Sequence, residues 1–155
     1  MSMNRIEHYE FYELVRKYLV NKPAILAYSS AAKYEGLTYC EYVKKIEVYV
    51  EDFLPELSEL KFKQIKLDSF DGIDYAEDEK GIKCCSSEKV IYDLIDKEYR
   101  NEKTIGYCSI EEICEALEMY SIKHSFSDLR FSNSDHKDFF DYCLKILQED
   151  YDRDY

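Results

Sequence analysis

Asp68 and the run Asp78-Glu79-Lys80 have the residue types of a metal-dependent nuclease centre, in which carboxylates hold a magnesium ion and a lysine stands beside them. Such carboxylates must converge from strand ends. Here the second cluster stands in a hydrophilic turn before Gly81, with no apolar strand to carry it, so the nuclease reading is disfavoured. Asp135, His136 and Asp138 could gather a cation, but polar residues in the first turn of a helix, where negative charge is favourable, are the ordinary account. Cys84-Cys85 invites redox chemistry. Adjacent residues of a strand point to opposite faces, which predicts one buried and one half-exposed thiol. The three histidines, His8, His124 and His136, are far apart in sequence, the four glycines form no phosphate-cradling loop, and no G-x-S-x-G occurs. The expectation is a chain with no catalytic residue, no metal and no cofactor.

The elements around these residues follow from periodicity. A first helix is predicted from about residue 4 to 20, with Phe11, Leu14, Val15, Tyr18 and Leu19 on one apolar face. Pro23 is expected to open a second, short helix through Tyr34, closed by Gly36, with Ser29, Ser30, Ala31 and Ala32 small enough for close packing. Ile46, Val48 and Val50 alternate with Glu47 and Tyr49 as in a half-buried strand. Residues 60 to 67, then Ile73 and Tyr75, then Ile82-Lys83-Cys84 suggest further strands. After them Ser86 or Ser87 caps a helix with the stripe Val90, Ile91, Leu94 and Ile95. Ser109 to Glu112 reads as a capping box for a helix carrying Ile113, Cys114, Leu117 and Tyr120. A last helix from about Ser134 to Tyr151 buries Phe139, Phe140, Cys143, Leu144 and Leu147. The prediction is one α+β domain over residues 1–155: a small, mostly antiparallel sheet of three to five strands flanked by about five helices.

Composition narrows the partners. The 33 acidic and 21 basic residues give a net charge of −12, which repels phosphate and disfavours nucleic-acid binding. Should DNA bind after all, Lys44, Lys45, Lys61, Lys63 and Lys66 are the densest basic group. The six carboxylates among residues 68–80 read as a solvated loop, or more sharply as a docking surface for a basic partner. The sixteen tyrosines suit core, rim or a protein interface. The N-terminal residues carry no signal-peptide pattern, no apolar run reaches membrane-span length, and the six cysteines lack paired spacing, so a cytoplasmic protein with reduced, buried thiols is expected.

Two segments carry a family resemblance. Tyr28-Ser29-Ser30-Ala31-Ala32-Lys33-Tyr34-Glu35-Gly36-Leu37 is similar to the serine/alanine helix with a terminal glycine found in AbiEi-type antitoxins of type IV abortive-infection toxin–antitoxin systems. Ser86-Ser87-Glu88-Lys89 with Asp93-Leu94 resembles the helix start that follows their sheet, with Ser87 where proline is usual, and Ile113 to Tyr120 resembles the next helix. The likeness spans roughly residues 24 to 147. The resemblance implies a non-enzymatic protein that neutralises a nucleotidyltransferase-type toxin or other defence component. Family members generally carry an N-terminal winged helix-turn-helix, whereas here about twenty residues precede the first motif, room for one helix and no reading head. The partner-binding residues it implies are Tyr28, Ser29, Ser30, Lys33, Glu88, Lys89 and Asp93, on an exposed, tyrosine-rich patch. From the residues alone, Glu88 and Lys89 belong to a helix's first turn, and Lys89–Asp93 is an i,i+4 pair of about 0.2–0.5 kcal/mol. Two other readings remain open: an acidic inhibitor that mimics nucleic acid, and the nuclease.

Overall fold

The computed structural model describes residues 5–38, 42–58, 61–99 and 110–153. Among them the chain forms β1 (Ile6–Glu7), α1 (His8–Tyr18), β2 (Ala24–Leu26), α2 (Tyr28–Tyr34), β3 (Tyr42–Val43), β4 (Ile46–Val50), β5 (Phe62–Lys66), β6 (Tyr75–Glu77), β7 (Lys83–Cys85), α3 (Ser87–Tyr99), α4 (Ile110–Lys123) and α5 (Ser134–Arg153), with two short 3-10 turns. The fold is α+β. Its main sheet runs β5-β4-β2-β7-β6, and β1 pairs with β3 in a separate ribbon. Antiparallel pairing joins β2 to β4, β6 to β7 and β1 to β3, while β2–β7 and β4–β5 are parallel, so the main sheet is mixed.

Register shows how the sheet is covered. Val48, Leu26 and Cys84 share one face, whereas Tyr49, Ile25, Lys83 and Cys85 share the other. Phe62, opposite Ile46 on the first face, meets Tyr18 of α1 at 5.6 Å between ring centroids, and the Cys84 thiol donates to the Ala31 carbonyl of α2. On the second face the Tyr49 hydroxyl donates to Asp93 of α3. Helices α4 and α5 pack on α3, outside that face. One apolar core cluster extends from Ile6 to Cys143.

Coverage on both faces corrects three expectations. β4 is buried at all five positions, not at alternate ones, because Glu47 and Tyr49 lie under α3. Cys84 and Cys85 are both buried, because β7 sits inside the sheet with a helix over each face. The segment after Pro23 is a strand, the central one, and the helix begins only at Tyr28. Three consecutive apolar residues, Ala24 to Leu26, buried on both sides are what a parallel-paired interior strand needs. The first helix starts at His8 rather than residue 4, since Ile6 and Glu7 pair with β3.

The remaining elements follow their patterns. Ser86 caps α3, its hydroxyl accepting from the Lys89 amide, and the predicted stripe Val90, Ile91, Leu94 and Ile95 is buried, each side chain contributing about 1.5–3 kcal/mol. α5 is capped by Asn133, which accepts from the amides of Asp135 and His136. Ile73 lies in a turn, and its strand is confined to Tyr75–Glu77. Gly81, at φ 81°, ends the acidic turn in a left-handed conformation that favours glycine, and an added Cβ would stand 2.5 Å from Asn21 Oδ1. Ser109, Cys40 and Cys108 lie outside the described residues. Among the described residues no helix is long and apolar enough to cross a membrane.

Candidate functional site

The two segments that carry the resemblance do meet, but in the interior. α2 packs against α3, and Tyr28, Lys33, Ser30 and Asp93 are buried. This corrects the expectation of an exposed patch. Tyr28 turns into α2 from β2 at φ 51°, a left-handed conformation that costs a tyrosine about 1–2 kcal/mol. Its ring lies 5.8 Å from that of Tyr49 and beneath the Lys97 ammonium at 5.3 Å, contacts that hold it there. Ser30 is fully buried: its hydroxyl accepts from the Glu47 amide at 2.9 Å and donates to the Lys45 carbonyl, tying α2 to the start of β4. Lys33 places its ammonium 3.2 Å from His8 Nδ1 and over Phe11 of α1.

The α3 residues have internal partners too. Asp93 accepts from the Tyr49 hydroxyl at 2.7 Å and from Lys89 at 2.8 Å. The Lys89–Asp93 pair is therefore half inside the protein and worth more than an exposed i,i+4 pair. Burial raises the Asp93 carboxyl above its usual range, and Lys89 opposes that shift. Glu88 accepts from the hydroxyl of Tyr120, a fully buried residue of α4. Of the seven predicted residues, Ser29, Glu88 and Lys89 alone keep partial exposure.

Glu47 and Lys97, which the sequence reading passed over, form the most unusual pair. Each is 1% exposed, their charged atoms are 3.7 Å apart, and neither Glu47 Oε2 nor Lys97 Nζ has a hydrogen-bond partner. The signal was available: Lys97 falls seven residues after Val90, on the buried stripe of α3, and Glu47 shares a strand face with Tyr49. Burial pushes the Glu47 carboxyl up to about 8, with Glu112 adding to the shift and Lys97 opposing it. The folded chain thus keeps a proton that the unfolded chain releases near pH 4.5, so this group's contribution weakens the fold as pH rises from about 4.5 to 8. Glu47→Gln lacks that loss. Its stability relative to the parent should climb across this window, by up to about 1.4 kcal/mol per pH unit, when urea unfolding is followed at pH 5, 6.5 and 8. A pH-independent difference would contradict the assignment.

Glu47 also lines a pocket of about 380 Å³ at the end of the sheet, with Ser29, Thr38, Tyr42, Val43, Lys44, Lys45, Glu111, Glu112 and Glu115. Ser29 donates to Glu112 Oε1 and Thr38 to Glu115 Oε1, both at 2.7 Å, so the acidic side of α4 is fastened across α2.

The nuclease-type residues are not brought together. Asp68 follows β5 and Asp78 follows β6, at opposite edges of the sheet, four strand spacings or roughly 19 Å apart. Asp78 instead organises its own turn, accepting from the Lys80 and Ile82 amides and from the Tyr34 hydroxyl. His136 pairs with Asp96 at 3.3 Å, while Asp135 and Asp138 are exposed. Among the described residues no group of three or more His, Cys, Asp or Glu is placed to hold a metal ion. No protein-family model matches the chain, and no curated protein is significantly similar to it.

Proposed function

We propose that the chain is a non-enzymatic binding protein, an antitoxin-like domain that neutralises a nucleotidyltransferase-type toxin or a related defence component. The observation that carries this reading is the packing of α2 on α3. The two resembling segments, some fifty residues apart in sequence, form one unit joined through Tyr49. Their packing supports reading the two segments together. The reading places the motif residues in the scaffold, and leaves partner contact to the surfaces that the scaffold presents. The net charge of −12 favours a basic partner surface.

A second reading, an acidic protein that mimics nucleic acid, is favoured by the exposure of Asp68, Asp71, Asp74, Glu77, Asp78 and Glu79. The two differ in what displaces the partner. The chain should co-purify with a nucleotidyltransferase encoded next to it, and duplex DNA or RNA should not compete it off. Competition by nucleic acid would favour the mimic, and no complex at all would remove the antitoxin reading.

A further inference from the structure

The two outer strands of the main sheet have open edges of opposite charge. They are β5 and β6, and among the described residues no strand pairs beyond either. On β6 the Asp78 amide donates to the Ile82 carbonyl and the Asp74 carbonyl accepts from the Ser86 amide, with Ala76 opposite Cys84 between them. Hydrogen-bonded positions alternate along an antiparallel pair, so Asp74, Ala76 and Asp78 turn their backbone groups to β7. Tyr75 and Glu77 turn theirs outward. On β5 the Lys61 carbonyl accepts from Ile46 and the Leu67 amide donates to Val50. The same alternation points the backbone groups of Phe62, Gln64 and Lys66 away from β4. The β4–β5 connection reaches back towards β2, where Glu56 pairs with Lys22. Tyr75 to Glu77 are all exposed, and Lys66 is exposed beside Phe53, itself 61% exposed.

β6 carries Glu77 and leads into Asp78 and Glu79, all exposed, whereas β5 carries Lys63 and Lys66 and no carboxylate. Charge on an edge strand ordinarily guards it, because two copies meeting at the same edge bring like charges together. That guard holds here for β5 against β5 and for β6 against β6. It fails for β5 against β6. We propose that the chain associates with copies of itself head to tail, the β6 edge of one copy adding to the β5 edge of the next. The strand directions fit: two of the four pairings between β5 and β6 are antiparallel, so the two strands run the same way. A copy added without turning over therefore continues the sheet by a parallel pairing. Lys63 and Ile65 share a sheet face with Tyr75 and Glu77, so the joint brings Glu77 and Lys63 together on one side. The net charge of −12 opposes association at long range, but beyond about 8 Å that repulsion is largely screened at physiological salt, and the contacts at the joint are closer than that. A contact between unlike edges leaves one of each free, so growth does not stop at two copies. With three residues in β6 each joint is small, and the association is weak and concentration-dependent. It goes beyond the binding role proposed above and does not depend on it.

The test is sedimentation velocity on the full chain over a concentration series at physiological salt, with amide NMR on the same samples. The sedimentation coefficient should rise with concentration and show no plateau at two copies, while the amides of Phe62, Gln64, Lys66, Tyr75 and Glu77 shift together. Two variants reverse one edge each: Lys63→Glu with Lys66→Glu on β5, and Glu77→Lys with Glu79→Lys on β6. Either alone has two edges of like charge and should lose at least about tenfold in association constant. Mixed in equal amounts, each meets opposite charge on the other, and association should return to near the parent's. Circular dichroism establishes that both are folded before mixing, and the concentration series on the parent needs no variant at all. A parent chain that stays monomeric, a plateau at the dimer, undiminished association of either variant, or no recovery on mixing the folded variants would overturn the proposal.

Discussion

Asp93→Ala is expected to cost the fold about 3 kcal/mol, one of the two largest single-residue effects anticipated here. The carboxylate is 7% exposed and receives the Tyr49 hydroxyl and the Lys89 ammonium. Truncation strands a buried hydroxyl and takes away the acceptor of a half-buried cation, and each loss alone costs about 1–3 kcal/mol. Asp93→Asn keeps an acceptor for Tyr49 and should cost about half as much. Lys89→Ala leaves the buried carboxylate with the Tyr49 hydroxyl alone and should cost about 1–3 kcal/mol. Chemical unfolding of the three variants decides the matter. If Asp93→Ala were as stable as the parent, the buried network would not be what joins the two segments.

The second large effect is at Tyr120. Its ring is fully buried, stacked on His124 at 4.6 Å between centroids and near Phe126, and its hydroxyl reaches Glu88 of α3. Tyr120→Ala should cost about 3–5 kcal/mol through the cavity it opens between α3 and α4. Tyr120→Phe keeps the packing and loses one hydrogen bond, about 1 kcal/mol. The ratio of the two, read from thermal or urea unfolding, separates packing from the Glu88 contact. Equal costs would mean that the hydroxyl, and not the ring, holds α4 against α3.

The helices were the more legible part of the sequence. α3, α4 and α5 announce themselves through stripes at 3.6-residue spacing; the structure buries those of α3 and α4, and of the α5 stripe it buries Phe140 and Cys143 and leaves Phe139, Leu144 and Leu147 half-buried. The strands were harder for a physical reason. A short strand buried on both faces shows no alternation, so Ala24 to Leu26 read as the start of a helix behind Pro23. Glu47 and Tyr49 passed for the solvent side of β4 because a charged and a hydroxylated residue are usually outward. Parallel pairing of β2 with β7 and of β4 with β5 joins segments that no local pattern links. The predicted site was legible as a pair of segments that meet, and misread as a surface. Polar residues such as Ser30, Lys33 and Asp93 look exposed until their partners, the Glu47 amide, His8 and Tyr49, are brought in by distant parts of the chain. The Glu47 pocket draws on α2, β3, β4 and α4, a combination that spacing alone does not reveal.

The central claim, that this chain restrains a nucleotidyltransferase-type partner by binding it, is tested most directly by growth. The two genes are placed under independently inducible promoters in one host, and colony survival is counted with the partner alone, with both, and with Asp93→Ala as a destabilised control. The account predicts that the partner alone arrests growth, that the intact chain restores it, and that the destabilised control restores it less well. A partner that is harmless alone, or equally toxic with the intact chain present, would contradict it.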